Sequence, residues 1–487
     1  MKKWFRTLLC GAVLTLSLTV PTFAAENDLL IAPAAPQGDF TVLVNGEYVA
    51  FTDAVPKIKN DRSCLPFVAV FEQLGFAEED MTWNGDTKTV TATKGDTTIS
   101  LTIGKNEIIL TQGGETQVIA TDVAPYIEPA LSRTYIPFGL VADALAYNVG
   151  WDANTRTVII DDVDAILAAN PETYALMDKY LDYSQSFAQK NQKVDGAYTM
   201  YMGMEDPSTF MEILVNGEYD MLMAGSTAMQ FETDMVLDMG MTVDGQDAMV
   251  EAGDTLPMTI DMDLRGDLND GTLYFQSAAL TEMMGQPDMT NAWYKLDLRG
   301  LFDGLSAVTG MDYASLMTMS ANAAEMDFAE YLTATLKAMP LTDVNMTTST
   351  YLEMVNLFCA DSAFEKSGSK YVNELSLGEI DEYGTEASMC FTLYTNGSKV
   401  NGYSITMSVG DSSGMLMEMN VSMENKEMTA EIAISSVTEE SEMLLSMSMG
   451  GTYQATSTAP ATEPPAGAVV IDLMELLEQS MTPEAEA

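Results

Sequence analysis

Apolar positions recur along this chain with two different periods, and the change of period divides it. Between residues 40 and 162 the clusters Phe67, Val70, Phe71, Leu74 and Phe138, Val141, Ala142, Leu145 fall at i, i+3, i+4 and i+7. That spacing sets four apolar side chains on one face of a short helix. Pro66 and Pro137 sit just before each helix, where a missing N–H costs nothing, and Gly75 follows the first as a stop signal. From about 165 to 455 the period is two. Met221 and Met223 alternate with polar residues, as do Met235, Leu237, Met239 and Met241, then Met258, Ile260, Met262 and Leu264. Met389, Phe391 and Leu393, and Met415, Met417, Met419 and Val421, continue the pattern. Asp, Thr, Glu, Ser and Gly fill the alternate positions, which predicts antiparallel sheet with one apolar and one wet face.

The first region is a repeat. Pro56-Lys57-Ile58 leads to Arg62-Ser63-Cys64-Leu65-Pro66-Phe67, a helix, then Trp83-Asn84-Gly85-Asp86-Thr87-Lys88-Thr89-Val90. It returns as Pro125-Tyr126-Ile127, Arg133-Thr134-Tyr135-Ile136-Pro137-Phe138, a helix, then Trp151-Asp152-Ala153-Asn154-Thr155-Arg156-Thr157-Val158. Upstream strands repeat as well, giving a strand–helix–hairpin unit over 40–93 and again over 107–160. Asn84-Gly85 and Asp152-Ala153-Asn154 read as turns. Trp83 and Trp151 are expected to pack over their helices, and Cys64 to be a small core residue. Two complete units with their own apolar faces predict that residues 40–162 fold alone.

These motifs resemble the copper amine oxidase-like N-terminal, or stalk, domain of secreted proteins of Gram-positive bacteria. The pattern is Val44-Asn45-Gly46, the Arg-x-x-x-Pro step, Leu74-Gly75, and Trp followed by a Thr-x-Thr-Val strand. The sequence departs from it at Cys64, at Phe67-Val68 and Phe138-Gly139, and at Ala146, which stands where a second Gly is expected. The resemblance covers about 40–162 and implies a fold and a non-catalytic, stalk-like role. It does not imply copper or oxidation, which belong to a separate catalytic domain.

The second region predicts a meander with turns at Asn216-Gly217, Asn269-Asp270-Gly271, Asn396-Gly397 and Glu424-Asn425-Lys426. Helical spacing runs from Val163 to Lys190, with Pro171 in a first turn. It recurs from Ala323 to Met339, capped by Asn322 with Glu325 three residues on, and from Thr347 to Cys359. The predicted class is α+β: a duplicated strand–helix–hairpin module, then a large curved antiparallel sheet with helices on its concave face or mouth. The second part resembles the lipoprotein-carrier-like half-barrels of bacterial envelope proteins. The resemblance implies a shared apolar interior, either a packed core or a ligand cavity, and the alternation nominates Met221, Met223, Met235, Met239, Met262 and Trp293 as its lining.

The ends and the charge set the compartment. Met1-Lys2-Lys3-Trp4-Phe5-Arg6, an apolar run to Val20 and Thr22-Phe23-Ala24 read as a signal peptide over 1–24, followed by a linker over 25–39. Residues 163–455 form the methionine-rich domain. Residues 456–487 form a Pro/Thr-rich, acidic tail with a short strand or helix near Val469–Gln479. No other stretch reaches spanning length, so the expected place is extracellular or on the cell wall. The chain carries 22 Lys+Arg against 72 Asp+Glu, a formal charge of −50. That charge repels nucleic acid and anionic lipid surfaces.

Chemistry is bounded by the absence of His. Ser-His-Asp and Cys-His catalysis, His-based zinc sites and copper amine oxidation are excluded. No phosphate-binding Gly loop appears, Asp267–Gly271 is expected to be a hairpin turn rather than a calcium loop, and acid pairs such as Asp261 and Asp263 are too common in so acidic a chain to nominate. No cofactor is expected. Cys359 and Cys390 could pair or stay free. Thirty-eight methionines suit the packing of an apolar core or the lining of an adaptable pocket, or soft coordination of Cu(I). The expectation is a secreted, non-catalytic envelope protein whose stalk-like module carries a domain binding an apolar small molecule, a lipid or a cell-wall component. The alternatives are a carboxylate-based hydrolase and a Met-based Cu(I) carrier.

Overall fold

The computed structural model describes residues 38–473, apart from 188–189, 226, 248–256, 284–288, 290, 301, 304–312, 315–316, 318–325, 380–384 and 439–440. The signal peptide and most of the linker and acidic end therefore lie outside the described residues, as do the expected caps Asn322 and Glu325. Contacts divide the chain into two units. One joins Ala25–Pro171 to Ala329–Val355, and the other joins Glu172–Phe328 to Asn356–Ala487.

The first unit is built from the repeat. Strands β1 (Thr41–Val44), β2 (Glu47–Tyr48), β3 (Lys57–Lys59) and β4 (Arg62–Pro66) lead into helix α1 (Phe67–Gln73). Strands β5 (Met81–Asn84), β6 (Thr89–Lys94), β7 (Thr97–Thr102), β8 (Glu107–Gln112) and β9 (Glu115–Ala120) form one meander. Then β10 (Tyr126–Glu128) and β11 (Arg133–Pro137) enter α2 (Phe138–Ala144), followed by β12 (Asn148–Asp152) and β13 (Thr157–Asp161). The two Arg-x-x-x-Pro strands pair with each other, Leu65 opposite Ile136, so the copies share one core. Phe67, Phe71, Phe76 and Phe138 meet in it, ring to ring. β1 closes the unit by pairing in parallel with β13.

Both helices end alike. The amide of Phe76 donates to the Phe71 carbonyl and that of Tyr147 to the Ala142 carbonyl, with the preceding residue left-handed. In the first helix that residue is Gly75 at φ 78°; in the second it is Ala146 at φ 58°, where a Cβ is strained. Trp83 and Trp151 do not bury over their helices as expected. They are 47% and 40% exposed, and Trp151 sets its edge against Phe40.

A further segment completes this unit. Helix α3 (Val163–Ala169), capped by the Asp162 carboxylate on the Ala165 amide, ends at Asn170, and α4 (Ala175–Ser186) starts anew. Pro171 therefore lies in the break between two helices, not in the first turn of one. Downstream, α6 (Phe328–Ala338) and α7 (Thr348–Cys359) follow a shorter α5 (Ala278–Met283). The sequence placed all of 323–359 in the second region, yet Ala329–Val355 groups with the repeat. Polar residues of the second copy hold it. Asn148 donates through Nδ2 to the Leu336 and Met339 carbonyls, Asp152 accepts from the Val344 amide, and Asp161 accepts from the Thr348 amide at 2.8 Å. Gly150 lies so close that a Cβ there would fall 1.7 Å from the Leu341 carbonyl oxygen.

The second unit is one curved, mainly antiparallel sheet with helices. In chain order its strands are β14 (Gln192–Glu205), β15 (Thr209–Ala224), β16 (Ala228–Val243), β17 (Gln246–Asp247), β18 (Met258–Asp267), β19 (Thr272–Gln276) and β20 (Trp293–Asp297). They continue as β21 (Glu365–Ser367), β22 (Lys370–Glu379), β23 (Glu386–Asn396), β24 (Lys399–Gly410), β25 (Met415–Glu424), β26 (Glu427–Val437), β27 (Glu442–Ala455) and β28 (Val470–Asp472). Spatially the path runs from β21 to β27, then β14, β15, β16, β18, β19, β20 and β28, with β17 beside β16. The long pairing of β27 with β14 joins the late strands to the early ones. β28 adds in parallel to β20. Turns fall as expected at Asn269–Gly271, Asn396-Gly397 and Glu424–Lys426. Asn216-Gly217 is no turn but lies inside β15, because Gly217 makes room for the ring of Tyr198. No disulfide joins Cys64, Cys359 and Cys390 to one another.

Candidate functional site

Register assigns every side chain of the large sheet to a face, since directly paired residues point the same way. Met221 and Met223 share a face with Val194, Gly196 and Tyr198 of β14 and with Phe231, Met229, Met235 and Met239 of β16. Met262, opposite Thr233, is on that face too. The pairing carries it across β27, β26, β25, β24 and β23 to Met447, Ile432, Met419, Met407 and Met389. Five of the six residues picked from the sequence therefore do share one apolar face. Trp293 does not. Its neighbour Tyr294 stacks on Phe275 on that face, while Trp293 lies on the other side under the Arg265 guanidinium, 4.7 Å away.

The methionine face differs along its length. At one end α4 covers it: Tyr180 meets Phe391 and Tyr403, and Phe187, just past the helix, meets Tyr453. Val194, Met221, Met223, Met423 and Met428 are buried there. Beyond α4, Met200, Met204, Met239, Met415, Ile432, Met443 and Met447 are all more than a third exposed. From β16 to β24 this open end carries no ionisable side chain. Each face position holds Met, Ile, Leu, Val or Ala, with Thr209 and Ser436 at the rim.

The opposite face is polar and concave. A hollow of about 1270 Å³ opens on it, bordered by Asp195, Glu218, Asp220, Glu232, Asp234, Asp261 and Asp263. A second, of about 350 Å³, is bordered by Thr406, Glu418, Glu431 and Ser446. These two hollows lie on the wet face, and of the six nominated residues only Met262 borders the larger; on the methionine face a space of about 30 Å³ lies under α4, lined by Tyr180, Phe187, Tyr403, Met423 and Tyr453. A row of glycines underlies that hollow. Tyr219 lies so close to Gly196 and Gly451 that a Cβ on either would meet its ring or hydroxyl, and burial pushes its phenol up to about 12. Lys193 bridges Asp195 at 2.5 Å and Asp220 at 2.9 Å. Asp220 is held below the usual carboxylate range by the groups beside it, Asp195 first and then the Lys193 ammonium that bridges the two. A carboxyl so held stays ionised near neutral pH and does not suit a general acid. Among the described residues no three His, Cys, Asp or Glu side chains are grouped to hold a metal ion.

The duplicated strands, the paired Arg-x-x-x-Pro steps and the shared phenylalanine core define the first unit's type. Residues 43–160 match the copper amine oxidase N-terminal domain. The match covers about a quarter of the chain and none of the large sheet. No curated protein matches the chain. Among solved structures, similarity was found to lipovitellin, described by its lipid–protein interactions, at 9% identity over 57% of this chain and 27% of that one, TM-score 0.21. The translocator domain of autotransporter NalP from Neisseria meningitidis gives 6% identity over 60% and 97%, TM-score 0.14. Ail, the attachment invasion locus protein of Yersinia pestis, gives 3% over 54% and 99%, TM-score 0.07. The chain spans about a quarter of the lipovitellin chain, and at scores this low none of the three assigns a function to the sheet.

Sequence reasoning missed the Ala329–Val355 segment in the first unit and the open end of the methionine face. A signal for the first was present. Aligning Trp83 with Trp151 sets Gly150 and Asp161 against Thr82 and Thr93, a loss of side chain and a gain of charge in one copy only.

Proposed function

We propose that this is a non-catalytic, exported protein of the cell envelope, in which the copper amine oxidase N-terminal-like domain serves as a stalk-like module. The large sheet is its binding unit, and it takes an apolar ligand or partner on the open end of the methionine face. One observation carries this reading: seven strands present an uncharged, methionine-rich surface to solvent in a chain of net charge −50. Contiguous apolar surface of that kind marks interaction sites, and the flexible thioether adapts to varied guests. The basic start and apolar run at the N-terminus support export. The test is binding of a neutral apolar dye such as Nile red to the full chain. Met447→Asp and Met239→Asp should weaken it, while Ser446→Asp on the polar face should not. Equal binding by all four proteins would remove the methionine face from the function.

A second reading has its own observation. Met443, Met204, Met211 and Met241 are direct neighbours across four adjacent strands, as are Met389, Met407 and Met419 across three. Rows of thioethers at strand spacing suit Cu(I). Titration of Cu(I) against a chelator of known affinity, with Met204→Leu and Met211→Leu, tests it; no competition by the wild-type protein rejects it.

A further inference from the structure

The open methionine face meets a lipid layer whose headgroups are neutral or cationic; this we infer from its shape, its size and the charges around it. The inference rests on the binding reading above and names its partner. Size comes first. Seven strands at about 4.8 Å spacing, open over about 20 Å of strand, give roughly 600 Å². A surface of that extent exceeds the scattered apolar residues of an ordinary exterior.

Shape decides between occupants. The two larger hollows of the sheet open on the polar face, and the small one on the methionine face lies under α4, so the methionine face is convex where it is open. Two convex faces touch over a small part of their area, which disfavours a second copy, whereas fluid acyl chains conform to a convex surface. The residue pattern agrees: along β14, β25 and β27 the outward positions at this end are apolar throughout, and the other face is mostly polar, with Leu416 and Leu444 as exceptions. Lipid-facing sheets of membrane barrels have the same arrangement. Among the described residues the path from β21 to β28 leaves two sheet edges, and unpaired edges are not tolerated in a hydrocarbon core. The face therefore lies against the layer and does not cross it.

Charge selects the headgroup. The turns at this end hold Asp206, Asp244 and Asp411, and Glu205 and Glu442 close the strands beside them. The described Lys and Arg of the sheet strands, Lys193, Arg265, Lys295, Lys366, Lys370 and Lys399, sit toward the other end or on other strands. An apolar face with an acidic rim is repelled by anionic lipid and accepted by zwitterionic or cationic lipid, in contrast to the basic rims of most surface-bound elements.

The experiment is flotation of the full chain with vesicles of phosphatidylcholine alone, or mixed with a cationic lipid or with phosphatidylglycerol. The protein should float with the first, more strongly with the second and least with the third, and salt should narrow the differences. Met200→Asp and Met447→Asp should each lower partitioning by about tenfold or more. Both positions are already exposed, and retention of the wild-type unfolding transition shows that the variants fold; Ser446→Asp should float as wild type. Nile red binding without flotation would keep the binding face and overturn the lipid layer. Absence of both would overturn both readings. A dimer in sedimentation that Met447→Asp dissolves would assign the face to a second copy instead.

Discussion

Replacing Gly150 by Ala tests whether Ala329–Val355 is a structural part of the duplicated unit. The added Cβ would lie 1.7 Å from the Leu341 carbonyl oxygen and 2.5 Å from its carbonyl carbon, backbone atoms that cannot swing aside. Overpacking of this kind costs about 1–3 kcal/mol if the segment shifts and stays docked. If it lifts, the bonds from Asn148 to Leu336 and Met339 and from Val344 to Asp152 go with it, at about 1 kcal/mol each. The expected loss is then about 3 kcal/mol or more. Hydrogen exchange on the full chain reads it directly: the amides of Val344 and Thr348 should exchange about a hundredfold faster for a loss of that size. Gly139→Ala is the matched control. It sits in α2 with nothing within 4 Å of its Cβ position, so it should be neutral or stabilising by about 0.5–1 kcal/mol. Wild-type exchange at Val344 and Thr348 in Gly150→Ala would refute the docking, and would leave residues 40–162 as the self-sufficient module their repeat suggests.

Ala146→Gly should stabilise the same unit by about 1 kcal/mol in denaturant, because Ala146 is left-handed where the first copy has Gly75; no gain would mean that the helix ends otherwise. Burial raises the Asp161 carboxyl above its usual range, against the pull of the Thr348 amide. A raised acid pKa means that the unfolded chain loses its proton first, so this group's contribution falls as pH climbs from the unfolded pKa to the folded one. Asp161→Asn should therefore look most favourable relative to wild type above that window, and a pH-independent difference between the two would contradict the assignment. Gly196→Ala should cost the large sheet about 1–3 kcal/mol, since its Cβ meets the Gly450 carbonyl oxygen at 2.2 Å and the Tyr219 ring at 2.4 Å. A wild-type denaturation midpoint would show that the ring and backbone yield.

Local patterns were read correctly where neighbours in sequence decide the outcome. Phe67 to Leu74 form one helix face because their spacing admits little else, and Met415 to Val421 share a sheet face because strand alternation is geometric. Errors arose where a distant residue decides. Gly217 has the letters of a turn, yet its glycine is required by Tyr198, nineteen positions earlier and on the adjacent strand. Trp293 and Tyr294 are adjacent large aromatics, and only the register of β19 shows which faces the methionines. The Ala329–Val355 segment repeats no motif of the unit it completes. The direction in which the sheet curves, and hence which face holds the hollows, has no local signature, since alternation fixes two faces without saying which is concave.

The uneven cover over the methionine face has a chemical consequence. Peroxide adds one oxygen to a thioether and turns it into a polar, chiral sulfoxide. Met200, Met204, Met443 and Met447 stand in solvent, whereas Met221, Met223, Met423 and Met428 are almost wholly enclosed. Mild oxidation would thus run along the strands from the open end and halt at α4. It would leave a folded sheet whose outer surface has become hydrophilic, and methionine sulfoxide reductase, which needs the same access, would restore it.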